Sequence, residues 1–453
     1  MTGPGFVPAS SLSDVVKRGQ CIGCGFCQID LSEVKANPRI TLEYSQVEEH
    51  WVPRTGKGGH DPSDSRICPG ATMDMVSLSE NVFHRQPRDL MVGEHLLIAA
   101  GHATDQKIRE AAASGGVTTA ILSHLFDAEA IDVAYCTFGR SPQDGEGRLV
   151  RSSDDLTQAM GSHYHPVNFG RSLTELVHSN ERFAFVGLPC EVAAMRQLLS
   201  VRSDVARRCI VLIGLFCGGI NRFSGIGRYL SNFGVDPATV REIDYRDGAW
   251  PGQISATTEA KVHRIPRIFN NSRWGILRYV ISFQGYWMLP RCRICPDQIA
   301  DFADIAVGDP HLTRFKGSNS LGHSAIVART KRGEAMLLAA QDAGAISLEP
   351  LSRDELVKSQ SYTLENRRQA ILYAKVAENL GMIPPHLVTY EGLDKFRTRH
   401  QTVYAYVDLI KIRVRSWHWL RPLYFPLQVF EYLFLTFSVR VLIERLKKLI
   451  RGV

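Results

Sequence analysis

An α/β fold built on a largely parallel sheet is what this sequence predicts, with a cysteine-rich module before it and a helical tail after it. Beyond residue 93, short apolar runs that read as strands alternate with helical stretches. That alternation is the mark of a parallel sheet covered by helices. Residues 1–92 lack it and are punctuated by cysteine, glycine and proline, the pattern of a small module folded around a metal. The third observation is charge. The chain of 453 residues carries +7, and residues 411–453 alone account for it.

The elements follow in order. Ile108 to Phe126 reads as helix, interrupted at Ser114-Gly115-Gly116. Ile131 to Phe138 reads as a strand. Arg182 to Val186 is a short apolar strand ending in Gly187-Leu188-Pro189-Cys190, with a helix from Glu191 to Ser200 behind it. Cys209 to Phe216 is a buried strand ending at Cys217-Gly218-Gly219. Asp304 to Val307 and Ala325 to Arg329 are two more, and Thr363 to Leu380 is a charged helix. Arg246 to Gly252 reads as a tight turn carrying Trp250, either a lid over a planar ring or a plain hairpin.

Composition excludes several classes. With 44% hydrophobic and 22% charged residues the chain is an ordinary globular protein. The body is neutral and has no basic run before residue 411, so nucleic acid is not an expected partner. Met1 to Arg18 holds no apolar run of signal-peptide length, and a cytoplasmic protein is expected. In that reducing setting ten cysteines read as metal ligands or reactive thiols. In the tail, Trp417 to Ile450 is rich in aromatics and leucine, flanked by Lys and Arg, and its charge-free stretches are too short to span a bilayer. It fits a basic amphipathic helix at the inner face of a membrane, or one docked on protein.

Cys21-Ile22-Gly23-Cys24-Gly25-Phe26-Cys27 is the strongest chemical signal. Three thiolates at i, i+3 and i+6 wrap one soft centre, and the glycines admit inorganic sulfide close to the backbone. Cys68-Pro69 supplies a fourth ligand in the manner of bacterial ferredoxins, but with 40 residues between it and Cys27. A 4Fe-4S cluster is expected there. A structural zinc is the alternative, although zinc sites usually pair two C-x2-C knuckles. A second set is Cys190 and Cys217, each ending an apolar strand, with the knuckle Cys292-Arg293-Ile294-Cys295. Ligands gather at the carboxyl ends of strands in open α/β sheets. Equally, Cys190 and Cys217 read as ordinary buried cysteines. Cys136 and Cys209 lie inside strands and read as core.

Ser114-Gly115-Gly116, with Thr118, opens a helix and offers backbone N–H groups and hydroxyls to a phosphate; a packed helix kink is the alternative. Gly161-Ser162-His163-Tyr164-His165 is a polar loop able to meet a cofactor, although lone histidines are more often structural. There is no GxGxxG and no Walker motif.

Taken together, these segments resemble the beta-subunit family of coenzyme F420 hydrogenases and dehydrogenases, which includes ferredoxin-dependent relatives acting on chlorophyll-type pigments. The resemblance runs from Cys21 to Gly333. It rests on CIGCGFC and the later CPG, SGGVTTAIL, GSHY, FVGLPCEVAAMRQLL, GLFCGG, YRDGAWPG, CRICPD and ADIAVGD. It implies a ferredoxin-like 4Fe-4S module over 1–92 and a flavin-binding α/β domain over 93–180 and 181–400. Its second part would carry the second cluster, and the helical tail covers 401–453. It implies FAD, with Ser114, Gly115 and Gly116 near the phosphates and Gly161, Ser162 and Tyr164 lining the same pocket. It implies a second 4Fe-4S cluster on Cys190, Cys217, Cys292 and Cys295. His163 stands where the family often has lysine. The expected activity is an oxidoreductase joining a one-electron carrier to a hydride acceptor such as coenzyme F420; a non-catalytic electron-transfer subunit is the alternative. Expected partners are a ferredoxin-like carrier or a partner redox subunit, and a small planar organic substrate.

Overall fold

The computed structural model describes residues 11–29, 31, 40–55, 66–139, 141, 145–248, 250–265, 287–315, 321–393, 399–414, 423 and 426. In the first segment the strands are β1 (Ile40–Ser45), β2 (His50–Thr55) and β3 (Thr72–Asp74). The body holds β4 (Leu97–Ala103), β5 (Val133–Phe138), β6 (Glu146–Val150), β7 (Phe183–Gly187) and β8 (Cys209–Leu215). A hairpin region holds β9 (Glu242–Asp247), β10 (Gln253–Thr257) and β11 (Val262–Ile265). Then come β12 (Ile305–Gly308), β13 (Ser324–Ala328), β14 (Ile346–Pro350) and β15 (His386–Val388).

The main sheet has eight strands in the order β14-β4-β13-β12-β8-β7-β5-β6. Its centre, β12-β8-β7-β5, is parallel, as the sequence predicts. Both flanks are antiparallel, which the sequence reading did not foresee: β6 on one side, β13, β4 and β14 on the other. The sheet is therefore mixed. The central strands are apolar throughout because both faces are covered. Successive side chains go to opposite cores. Phe183 and Phe185 join one, Ala184 and Val186 the other.

The predicted helices form, while others, among them Phe223–Ser231 and Lys331–Asp342, were not foreseen. Val117–Asp127 starts behind Gly116, whose φ of +76° suits glycine, and Pro189–Val201 follows β7. Helix Ser361–Asn379 packs against Arg399–Val414, which buries Ala405, Leu409 and Ile412. Tyr373 donates to Asp408 across that contact at 2.8 Å. The aromatic part of the tail, 417–450, lies outside the described residues apart from 423 and 426. Among the described residues no helix is long and apolar enough to cross a membrane.

The described residues of the first segment share the core of the body. Ile22, Phe26, Ile67, Met73 and Leu78 belong to the same buried cluster as Phe185 and Met195. Phe26 meets Phe185 edge-on at 6.2 Å. β3 pairs in parallel with β15, more than 300 residues later. A Cβ on Gly25 would sit 2.1 Å from the Gly170 backbone, so only glycine admits that approach.

A buried ion cluster ties the cysteine region to the helical layer. Asp301 accepts two 2.7 Å bonds from Arg367 and lies 3.8 Å from Arg329, all three fully buried. Removing the shared anion strands two buried cations, at a cost of about 3–5 kcal/mol. Asp301→Ala should lower the denaturation midpoint accordingly; a loss below about 1 kcal/mol would mean that water reaches these guanidinium groups.

Candidate functional site

Three of the parallel strands deliver chemistry at their carboxyl ends. β7 leads to Cys190, β8 to Cys217 and β12 to Asp309. That edge is where ligands bind in open α/β sheets, because loops leave the sheet there and helices begin.

Cys190, Cys217, Cys292 and Cys295 line one pocket, with Leu188, Ile220 and Gln298. The scattered second set thus converges. Burial pushes these thiols up: Cys190 and Cys217 far up, Cys292 to about 11. The repulsion of Cys217, Cys292 and Cys295 adds to Cys190's shift. Two backbone donors already point at sulfur, Gly219 N–H to Cys217 Sγ at 3.3 Å and Ile220 N–H to Cys292 Sγ at 3.4 Å. The Cys295 thiol donates to the Asp297 carbonyl at 3.0 Å.

The first set is built alike. Burial raises Cys21 to about 12 and Cys24 well above its usual range. Cys24 feels Cys68, Cys27 and Cys21, so the distant Cys68 does return to the CIGCGFC loop. Backbone N–H groups of Gly23, Phe26, Gly70 and Ala71 offset burial at Cys21, Cys24 and Cys68. Ile22, between Cys21 and Cys24, also lines the second pocket, so the two sets are neighbours. Among the described residues no group of three or more His, Cys, Asp or Glu is disposed to grip a single metal ion. Tetrahedral zinc needs four donors at about 2.3 Å from one point. Sulfur donors with N–H groups aimed at them fit an iron–sulfur cluster. Cys136 and Cys209 sit buried in β5 and at the start of β8, away from both sets.

Beside the second set lies a polar cluster. Leu215 of β8 pairs with Val307 of β12, so Cys217 and Asp309 each stand two residues past a shared register point. Asp309 forms an ion pair with Arg246 and accepts from Trp250 Nε1 at 3.3 Å. Burial alone would raise its carboxyl; Arg246, His311 and the nearby Ser114 outweigh that and hold it at about 2. Arg246 also donates to Tyr164 Oη at 3.0 Å. Ser114 of the Ser-Gly-Gly turn and Tyr164 of the GSHY loop, 50 residues apart, are thereby joined through Asp309 and Arg246. Trp250 is a buried member of the β9–β10 turn, stacked on His311.

The turn itself is anchored to β13. Ser114 Oγ donates to the His323 carbonyl, and Gly115 N–H donates to Ser324 Oγ at 3.1 Å. No side chain caps helix Val117–Asp127 at Gly116, and Thr118 is half-buried in its first turn. Arg109 donates to the Gly322 carbonyl beside this turn, and its buried Nε has no partner among the described residues. An uncapped helix start next to a cation suits a phosphate. Gly161, with φ +115°, has open space around it; Ser162 and His163 are half-buried. His163 packs edge-on against His165, which burial and then His163 keep well below the usual imidazole range. His165 shares a 2.7 Å hydrogen bond with Tyr245. The sequence reading missed Arg109, Arg246 and Asp309 as site residues. Arg246 and Asp309 lie inside quoted segments, YRDGAWPG and ADIAVGD, but pairing over 60 residues leaves no spacing signal.

A mixed α/β protein with two converging thiol sets and an adjoining polar cluster at one sheet edge belongs among the redox proteins. The comparisons make this particular. Residues 98–174 match "Coenzyme F420 hydrogenase/dehydrogenase, beta subunit N-term" and residues 180–354 match the corresponding C terminus, together more than half of the chain. The chain belongs to the coenzyme F420 hydrogenase/dehydrogenase beta-subunit family. It is 24% identical over 269 residues to the coenzyme F420 hydrogenase subunit beta of Methanothermobacter thermautotrophicus, covering 58% of this chain and 87% of that protein. It is 26% identical to the F420-dependent formate dehydrogenase subunit beta of Methanocaldococcus jannaschii, over 46% of this chain and 51% of the relative. It is 24% identical to the coenzyme F420-dependent sulfite reductase of the same organism, over 79% of this chain and 52% of the relative. The chain thus spans about half the length of these last two. A chain of the F420-reducing NiFe hydrogenase complex from Methanosarcina barkeri shares the fold, with a TM-score of 0.51, 19% identity and coverage of 66% of this chain and 98% of that one. The CIGCGFC segment precedes both matched family regions.

The pH dependence of the polar cluster has a definite sign. Asp309's folded pKa of about 2 lies below the ordinary 3.8, so its contribution is complete above pH 4 and is lost as pH falls to 2. Wild type should lose more stability across that window than Asp309→Asn in urea titrations. Equal losses would mean that Arg246 does not hold the carboxylate ionised.

Proposed function

We propose that this protein is an oxidoreductase that passes electrons between a one-electron carrier and a hydride acceptor, using two 4Fe-4S clusters and FAD. The observation that carries the reading is the row of neighbours at one edge of the protein: the Cys21 set, the Cys190 set and the Ser114–Asp309–Tyr164 cluster. Such a row suits stepwise electron transfer. A flavin exchanges two electrons as hydride and also single electrons, whereas an iron–sulfur cluster carries one.

In this reading Cys21, Cys24, Cys27 and Cys68 hold the outer cluster and Cys190, Cys217, Cys292 and Cys295 the inner one. Backbone N–H groups at Gly219 and Ile220 stabilise charge on the inner thiolates. Gly115, Gly116 and Thr118 at the helix start, with Arg109, receive the FAD phosphates, and Ser114 fixes the turn. Arg246, held by Asp309, and Tyr164 border the ring side, with Gly161, Ser162 and His163 at the open rim. Trp250 excludes water beneath them. The relatives' names support coenzyme F420 as the acceptor and, where they name subunits, a partner redox subunit as the donor; a ferredoxin-like carrier is the other donor in this reading.

Two measurements test this. Reduced protein mixed with oxidised coenzyme F420 should bleach its absorbance in a flavin-dependent manner. No bleaching with flavin bound would favour a relay subunit without its own catalysis. Arg246→Gln should weaken FAD binding at least tenfold, the loss of one charge-assisted bond at about 1.5–3 kcal/mol, and leave iron unchanged. Loss of iron with flavin retained would overturn the division of roles.

A further inference from the structure

The largest fully buried side chains include four arginines, and three of them face carboxylates. Arg222 faces Glu48, and Arg329 and Arg367 face Asp301. Arg291 is the exception. It is 2% exposed, donates through Nε to the Pro69 carbonyl at 3.0 Å and through Nη1 to the Ile294 carbonyl at 3.2 Å. Its Nη2 is buried with no hydrogen-bond partner among the described residues. A buried guanidinium without an anion is costly, so a counter-charge is required.

The neighbours say where that charge comes from. Pro69 follows Cys68 of the first set, while Arg291 precedes Cys292 and lines the pocket of the second. Its positive charge is felt at Cys68, Cys292 and Cys295. At Cys295 the charge of Arg291 is the largest influence opposing burial. One cation thus stands between two groups of thiols.

We propose that Arg291 is the shared counter-charge of the two cysteine sets, a positioning residue that pins the Cys68 loop to the second set and favours the reduced state of both clusters. This rests on the iron–sulfur reading above. Reduction adds an electron to a thiolate-ligated cluster, and a nearby buried cation stabilises the added charge. Little solvent intervenes to screen it. Removing the charge therefore lowers both midpoint potentials. Lysine restores the charge but not the two-carbonyl fork.

The test is a redox titration of the full chain, followed by electron paramagnetic resonance, for wild type, Arg291→Gln and Arg291→Lys, with iron and acid-labile sulfide measured on each. Arg291→Gln should keep its iron and shift both clusters to lower potential by at least ~59 mV, a tenfold change for one electron. Arg291→Lys should recover much of that shift. Unchanged potentials with iron retained would overturn the proposal, as would a shift confined to one cluster. Loss of iron from both variants would also overturn it, because the fork and not the charge would then matter. Wild type without iron and sulfide would sink the functional reading itself, and the inference with it.

Discussion

The burial of two sets of thiols beside the ends of parallel strands is the constraint on which the rest depends, because they need positive charge once ionised. Burial raises Cys21 to about 12 and pushes Cys190 and Cys217 well above the usual thiol range. In this state they are neutral. To act as ligands they must ionise together, which requires a multivalent cation and donors directed at sulfur. The donors are in place as backbone N–H groups after Cys68 and Cys217 and beside Cys292. They are available because each cysteine sits in a loop or at a helix start, where N–H groups lack intrahelical partners. The sheet supplies those positions by ending its parallel strands on one side.

The same edge explains why chemistry of different kinds lies close together. Register between β8 and β12 sets Cys217 and Asp309 on adjacent strand ends. The small β9–β11 sheet brings Arg246 over that edge, and Asp309 holds it there. On the other side, the first cysteine loop is pressed onto the body by Gly25 against Gly170 and by Phe26 against Phe185. The first segment is therefore part of one continuous core, which shortens the distance between the two thiol sets.

Much of this was legible in the sequence, for identifiable reasons. The strands before Cys190, Cys217 and Asp309 are continuous apolar runs ended by glycine or proline, a local signal. The CIGCGFC spacing is equally local. The convergence of Cys190, Cys217, Cys292 and Cys295 was an even choice from spacing, since buried cysteine is common, and family resemblance favoured it. Antiparallel β4, β6 and β14 were missed. β6, Glu146–Val150, reads as polar because it is an edge strand, and β14 carries Glu349 and Pro350 for the same reason. Arg291 and Asp309 were unreadable as partners: an ion pair or a missing ion pair depends on three-dimensional contact, not on periodicity.

The central claim is that both thiol sets hold iron–sulfur clusters beside a flavin. Anaerobic purification followed by visible spectroscopy and assays of iron, acid-labile sulfide and flavin tests it most directly. The account predicts a brown protein with about eight irons and one FAD per chain, bleached by dithionite. A colourless protein holding zinc would contradict it.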